Sequence, residues 1–101
     1  MVETDSEGYL IEPADWNEEV AVDLAAREGI TLTDEHWEVL RFMRAWLADR
    51  RVAPDVRHVI RHLADTSGAD RNRVFTLFPY GYVQQACKIA GMRRPRAWST
   101  G

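Results

Sequence analysis

The sequence predicts a mainly α-helical fold: a single small domain of about five helices, a short extended segment at the N-terminus and a flexible arm at the C-terminus. Three observations point there. The chain has 101 residues, 46% hydrophobic and 29% charged, the length of one domain with one core and a composition in the ordinary globular range. Apolar side chains recur three and four residues apart through most of it, the period that lines one face of a helix. Between those stretches stand residues that start or stop helices: Asp15, Thr33 and Pro54 at starts, and Gly29, Gly68 and Gly91 at ends.

Residues 1–14 read as a turn and a short extended piece, because Gly8 permits a tight turn and Pro13 closes the segment. Asp15 followed by Glu18 has the spacing of a capping box, so a helix is expected over about 16–28, with Trp16, Val20 and Leu24 on one face and Gly29 after its end. Thr33 caps the next helix, with Asp34 and Glu35 at the positive end of its dipole. Trp37, Leu40, Met43 and Leu47, flanked by Val39, Phe42 and Trp46, give this helix a broad apolar surface, which predicts the central helix of the fold, ending near Arg50 or Arg51.

Pro54 suits the first turn of a third helix, in which Val56, Val59, Ile60 and Leu63 fall at i, i+3, i+4 and i+7. A short helix is expected around 70–78, presenting Val74, Phe75, Leu77 and Phe78 to the core before Pro79 breaks it. The last helix, about 82–90, turns Val83, Ala86, Ile89 and Ala90 inward and is capped by Gly91. Residues 1–91 thus form the helical domain. Residues 92–101, with Arg93, Arg94 and Arg96 and no acidic residue or periodicity, form the flexible basic arm.

The net charge of −3 hides a division. Residues 1–40 carry twelve acidic and one basic side chain, and residues 41–101 carry four acidic and twelve basic. Halves of opposite sign neutralise each other when they fold together, and a free basic face attracts nucleic acid or an acidic protein. One cysteine excludes an internal disulfide framework, and the acidic N-terminus lacks the basic flank and apolar run of an export signal, so a reducing cytoplasm is the expected location. No apolar stretch approaches the roughly 20 residues of a membrane-spanning helix, and no membrane partner is expected.

Few residues offer chemistry. Cys87 is the only strong nucleophile; the cations Lys88, Arg93 and Arg94 favour its thiolate, while the negative end of its own helix opposes ionisation. His58 and His62 stand four apart on one helix, but no acidic residue lies between them and no third ligand is evident, so no metal and no cofactor is expected. The pairs Glu18–Glu19 and Asp34–Glu35 sit in first helical turns, where the dipole accounts for them. The glycines are isolated and make no phosphate loop. Residues 55–65 and 70–78 could form a helix-turn-helix with Arg71 and Arg73 leading the second helix, although that helix is short and apolar.

The segment Leu77-Phe78-Pro79-Tyr80-Gly81, followed by Gln85-Ala86-Cys87-Lys88-Ile89-Ala90-Gly91-Met92, resembles the C-terminal block of the DsrC/TusE sulfur-relay proteins, also called the gamma subunit of dissimilatory sulfite reductase. Glu7-Gly8-Tyr9-Leu10, Asp15-Trp16, Leu32-Thr33-Asp34-Glu35-His36-Trp37 and Ala53-Pro54-Asp55-Val56-Arg57 extend the likeness over nearly the whole chain. It implies a helical domain with an N-terminal β-hairpin. It also implies a carrier, not a turnover enzyme, that holds sulfur as a persulfide on a cysteine of the C-terminal arm and docks onto a siroheme sulfite reductase, the TusBCD complex of tRNA 2-thiolation or a sulfur donor. Cys87 matches the inner of the family's two arm cysteines, and Trp98 stands where the outer one falls. The resemblance therefore implies Cys87 as the reactive residue, with Tyr80, Gly81, Lys88, Arg93, Arg94, Arg96 and Trp98 meeting the partner. The absent outer cysteine motivates an alternative: a paralogue without carriage that serves as a regulatory or scaffolding protein of sulfur metabolism, through protein contacts or through DNA.

Overall fold

A computed structural model describes residues 3–93 of the chain. The N-terminal segment forms one antiparallel bridge, between Thr4 and Leu10. The loop is held by the carboxylate of Asp5, which accepts the backbone N–H groups of Glu7 and Tyr9 at 2.9 and 3.0 Å. The hairpin implied by the resemblance is thus reduced to a hydrogen-bonded loop that brings Tyr9 and Leu10, both buried, onto the core.

The first helix, α1, spans Glu18–Arg27 and begins later than the Asp15–Glu18 spacing suggested. Pro13 opens a separate 3-10 turn over Pro13–Asp15, and Asn17 becomes the cap, its side chain accepting the N–H of Val20 at 2.9 Å. Helix α2, Asp34–Arg50, starts at Thr33 as predicted. There the box is closed by His36, whose Nδ1 accepts from the Thr33 N–H at 3.0 Å; with Nδ1 so engaged, Nε2 donates to the carbonyl of Leu77 at 2.8 Å. Helix α3, Val56–Ser67, is capped by Asp55, so Pro54 lies just before the cap instead of inside the first turn. Helix α4 is a single turn, Arg73–Leu77, shorter than the predicted 70–78. It buries Val74 and Leu77, while Phe75 is left exposed and outside the core.

The last segment departs most from expectation. Tyr82–Cys87 is a π-helix, with i to i+5 hydrogen bonding, and only one further helical turn carries the chain to Gly91. Such wide turns are rare and occur mostly as single turns. This one brings Tyr82, Gln85, Ala86 and Cys87 all inward, and Ile89, Ala90 and Met92 are buried beyond it. The most completely buried stretch is therefore 82–92 and not α2, where Val39, Leu40 and Met43 are buried but Trp37, Phe42, Trp46 and Leu47 are half-exposed. Met92, counted with the arm in the sequence reading, packs in the core. Among the described residues, no helix is long and apolar enough to cross a membrane.

Candidate functional site

Cys87 ends the π-helix and is wholly buried. Its thiol is hydrogen-bonded to the hydroxyl of Tyr82, one π turn earlier. That hydroxyl donates its only proton to the carbonyl of Pro54 at 2.6 Å. Toward sulfur, then, the tyrosine oxygen presents a lone pair, and the line runs S–H to O–H to O=C. Burial pushes the Cys87 thiol up to about 12 and outweighs the Tyr82 hydrogen bond, which acts to lower it; burial raises the Tyr82 phenol as well. Nearby cations and the helix end left the ionisation of Cys87 open in the sequence, and burial decides it in favour of the neutral thiol. Lys88 turns its ammonium away, to Glu28 at 3.2 Å.

The backbone around Cys87 is tied to three distant parts of the chain. Tyr9 donates its hydroxyl to the carbonyl of Val83 at 3.0 Å. The Trp16 indole N–H reaches the carbonyl of Ile89 at 2.9 Å. Arg44, from α2, stacks on Trp16 at 4.7 Å; it donates to the carbonyls of Ala90 and Pro13, both at 3.0 Å. Partial burial lowers the pKa of that guanidinium, a cost offset by the two carbonyls it bridges. The Ile89 and Ala90 acceptors belong to the last turn before Gly91, whose carbonyls lack helical partners and are met here by side chains.

A cleft of about 220 Å³ opens beside this segment, lined by Glu7, Tyr9, Glu28, Tyr80, Gln84 and Lys88. Glu28, directly after α1, accepts from Gln85 at 3.4 Å and from Lys88 at 3.2 Å. Gln85 in turn accepts the N–H of Tyr80 at 3.0 Å.

The structure thus brings together Tyr80, Gly81, Cys87 and Lys88 of the sequence-predicted set. Tyr80 is exposed (73%), Gly81 is buried, Lys88 is half-buried and Arg93 is exposed. Arg94, Arg96 and Trp98 lie outside the described residues. His58 stacks on Trp46, with 4.3 Å between ring centroids, and His62 stacks on Phe42 at 4.2 Å while its Nε2 meets Glu38 at 2.6 Å. Among the described residues, no group of three or more His, Cys, Asp and Glu is placed to hold a metal. Arg73, proposed to lead a DNA-reading helix, is paired with Glu35.

Sequence reasoning missed Tyr82 as the neighbour of the thiol, and Glu28 and Arg44 as the groups that hold the segment around it. Tyr82 carried a signal in hindsight, since a tyrosine five residues before the only cysteine meets it when the turn is π. Glu28 and Arg44 had none, because 60 and 46 residues separate them from the groups they bind.

The sequence model of the family described as "DsrC like protein" matches residues 1–97. The chain is 41% identical over 98 residues to the protein named sulfurtransferase TusE of Yersinia pestis, covering 94% of this chain and 90% of that one. It is 41% identical over 97 residues to the protein of the same name from Escherichia coli strain K12, covering 93% and 89%. Among solved structures, the oxidized gamma-subunit of the dissimilatory sulfite reductase (DsrC) from Archaeoglobus fulgidus superimposes with a TM-score of 0.88 at 33% identity, over 97% of this chain and 92% of that one. The NMR structure of DsrC from Allochromatium vinosum gives 0.83 at 33% identity, over 97% and 90%. With the match running from the N-terminal loop through the buried cysteine segment, this chain belongs to the DsrC-like protein family.

Proposed function

We propose that the chain is a sulfur-relay protein of the DsrC/TusE type, carrying sulfane sulfur as a persulfide on Cys87. The observation that carries this reading is the whole-length kinship with sulfurtransferases, combined with the presence of one thiol in the entire sequence. Loading proceeds by attack of the Cys87 thiolate on the outer sulfur of a donor persulfide. A new S–S bond forms at Cys87, the donor's S–S bond breaks, and the donor leaves as its thiolate. The protein is a stoichiometric carrier.

The geometry adds a condition. With its thiol pushed up to about 12, closed Cys87 is protonated at neutral pH, and only the thiolate attacks. Exchange with a partner therefore requires residues 82–92 to lift from the core, returning the thiol to water and to a pKa of roughly 8.5. Closure protects the thiol between transfers. The partners are cytoplasmic sulfur-transfer proteins, a persulfide donor and an acceptor of the sulfite reductase or tRNA-thiolation type. They meet Tyr80, Gly81 and Lys88 on the body, which includes the buried Met92, and Arg93, Arg94, Arg96 and Trp98 on the arm that follows it.

Incubation with a persulfide donor, followed by intact mass measurement, tests the reading. The expected result is a gain of about 32 Da, one sulfur atom, on the wild type and not on Cys87→Ser. It should appear slowly on the protein alone and faster in mild urea or with a partner. Absence of that species under all three conditions, with Cys87 alkylated normally in urea, would overturn carriage and leave a regulatory role for this fold.

A further inference from the structure

We propose that Glu28 is the positioning residue that keeps the Cys87 segment closed, and that the cleft in front of it receives a cationic side chain, best a guanidinium, from a sulfur-transfer partner. Glu28 is an acidic group joined to both polar side chains flanking the cysteine. One carboxylate oxygen accepts from Gln85, two residues before Cys87, and the other from Lys88, one residue after it. Gln85 is buried and passes the restraint on to the backbone N–H of Tyr80. A single carboxylate therefore fastens residues 80, 85 and 88 to the end of α1.

The resident ligand shows what the cleft recognises. The Lys88 ammonium sits 3.2 Å from the Glu28 carboxylate and 5.1 Å from the centre of the Tyr9 ring. A cation between a carboxylate and an aromatic face is a favourable arrangement. Glu7 adds a second carboxylate to the lining, and Tyr80, mostly in solvent, a second aromatic wall. A guanidinium fits this site better than the ammonium it displaces, because it is planar and donates two parallel hydrogen bonds to one carboxylate. Both Glu28 oxygens would then turn to the newcomer. Gln85 and Lys88 would lose their acceptor, and the turn that ends at Cys87 would lose its tie to α1.

The inference rests on the proposed carrier role of Cys87, but alkylation reads access to sulfur, not its loading, so the two fail separately. The alkylation rate of Cys87 by iodoacetamide at pH 8 is measured alongside amide exchange of the α2 and α3 core. Glu28→Ala is expected to react at least tenfold faster than wild type with core exchange unchanged, and Glu28→Gln, which keeps the shape and one acceptor, at an intermediate rate. Equal rates in all three proteins overturn the positioning role, as does a rise in core exchange that matches the rise in alkylation. Acetyl-argininamide, with acetyl-citrullinamide as the uncharged control at the same ionic strength, is expected to accelerate alkylation of wild type and not of Glu28→Ala. No difference between the two compounds overturns the docking role.

Discussion

The indole of Trp16 packs against the backbone of Gly91: a β-carbon placed on the glycine would fall 2.4 Å from Cδ1 of the ring. Gly91 also holds φ at +75°, a conformation that side chains with a β-carbon rarely adopt. The last glycine of the cysteine segment is thus a packing surface as well as a helix end. The same indole puts its N–H on the Ile89 carbonyl and carries the Arg44 guanidinium over its ring.

Gly91→Ala is therefore expected to destabilise the protein by about 2–4 kcal/mol, combining left-handed strain with displacement of a packed indole. Urea denaturation measures it. Cys87 should alkylate faster in this variant than the loss of global stability alone accounts for, because the displaced ring releases the Ile89 carbonyl.

Arg44→Lys preserves the charge but cannot span the two carbonyls, Ala90 and Pro13, that the guanidinium bridges. A loss of about 1–2 kcal/mol is expected from one missing charged hydrogen bond and the weaker stacking on Trp16. The contrast with Arg41, whose contact with Glu18 is 3.5 Å long and exposed, is the control. Arg41→Lys should change stability by less than about 0.5 kcal/mol.

The buried thiol predicts a pH dependence with a definite sign. Unfolded, Cys87 loses its proton near pH 8.5; folded, it keeps it to about 12. Between these values the unfolded chain binds fewer protons than the folded one, so stability falls as pH rises, by up to about 1.4 kcal/mol per pH unit. The contribution is fully present below pH ~8.5. Tyr82, also raised, adds a loss of the same sign at higher pH. Unfolding free energies compared at pH 8 and 9.5 should fall more steeply for wild type than for Cys87→Ala, and equal slopes would contradict a protonated, buried thiol.

Much of the fold was legible before any coordinates. Thr33 began its helix where expected, and the spacing of Val56, Val59 and Leu63 predicted the buried face of α3. Those signals are local: a cap bonds within three residues, and an amphipathic period is set by the helix itself. The start at Asp15 was misplaced by two residues because Asn17 competes with it for the same orphan N–H groups, and Pro54 falls outside α3 because Asp55 after it takes the cap; only the geometry of the entering chain makes these selections. Phe75 was assigned to the core by its apolarity, yet a helix of one turn has room to bury only two of its faces' residues, Val74 and Leu77.

By itself the sequence determined the helical class, the family and the solitary thiol, all of which follow from residue identity and short-range spacing. Whether that thiol is exposed and ionised or hidden and protonated was decided by the tertiary structure. The deciding groups, Tyr82, Pro54, Glu28, Trp16 and Arg44, reach the segment across a π turn or from far along the chain. The physical reason is that a pKa reports solvent exclusion and partner geometry, and both are properties of the packed whole.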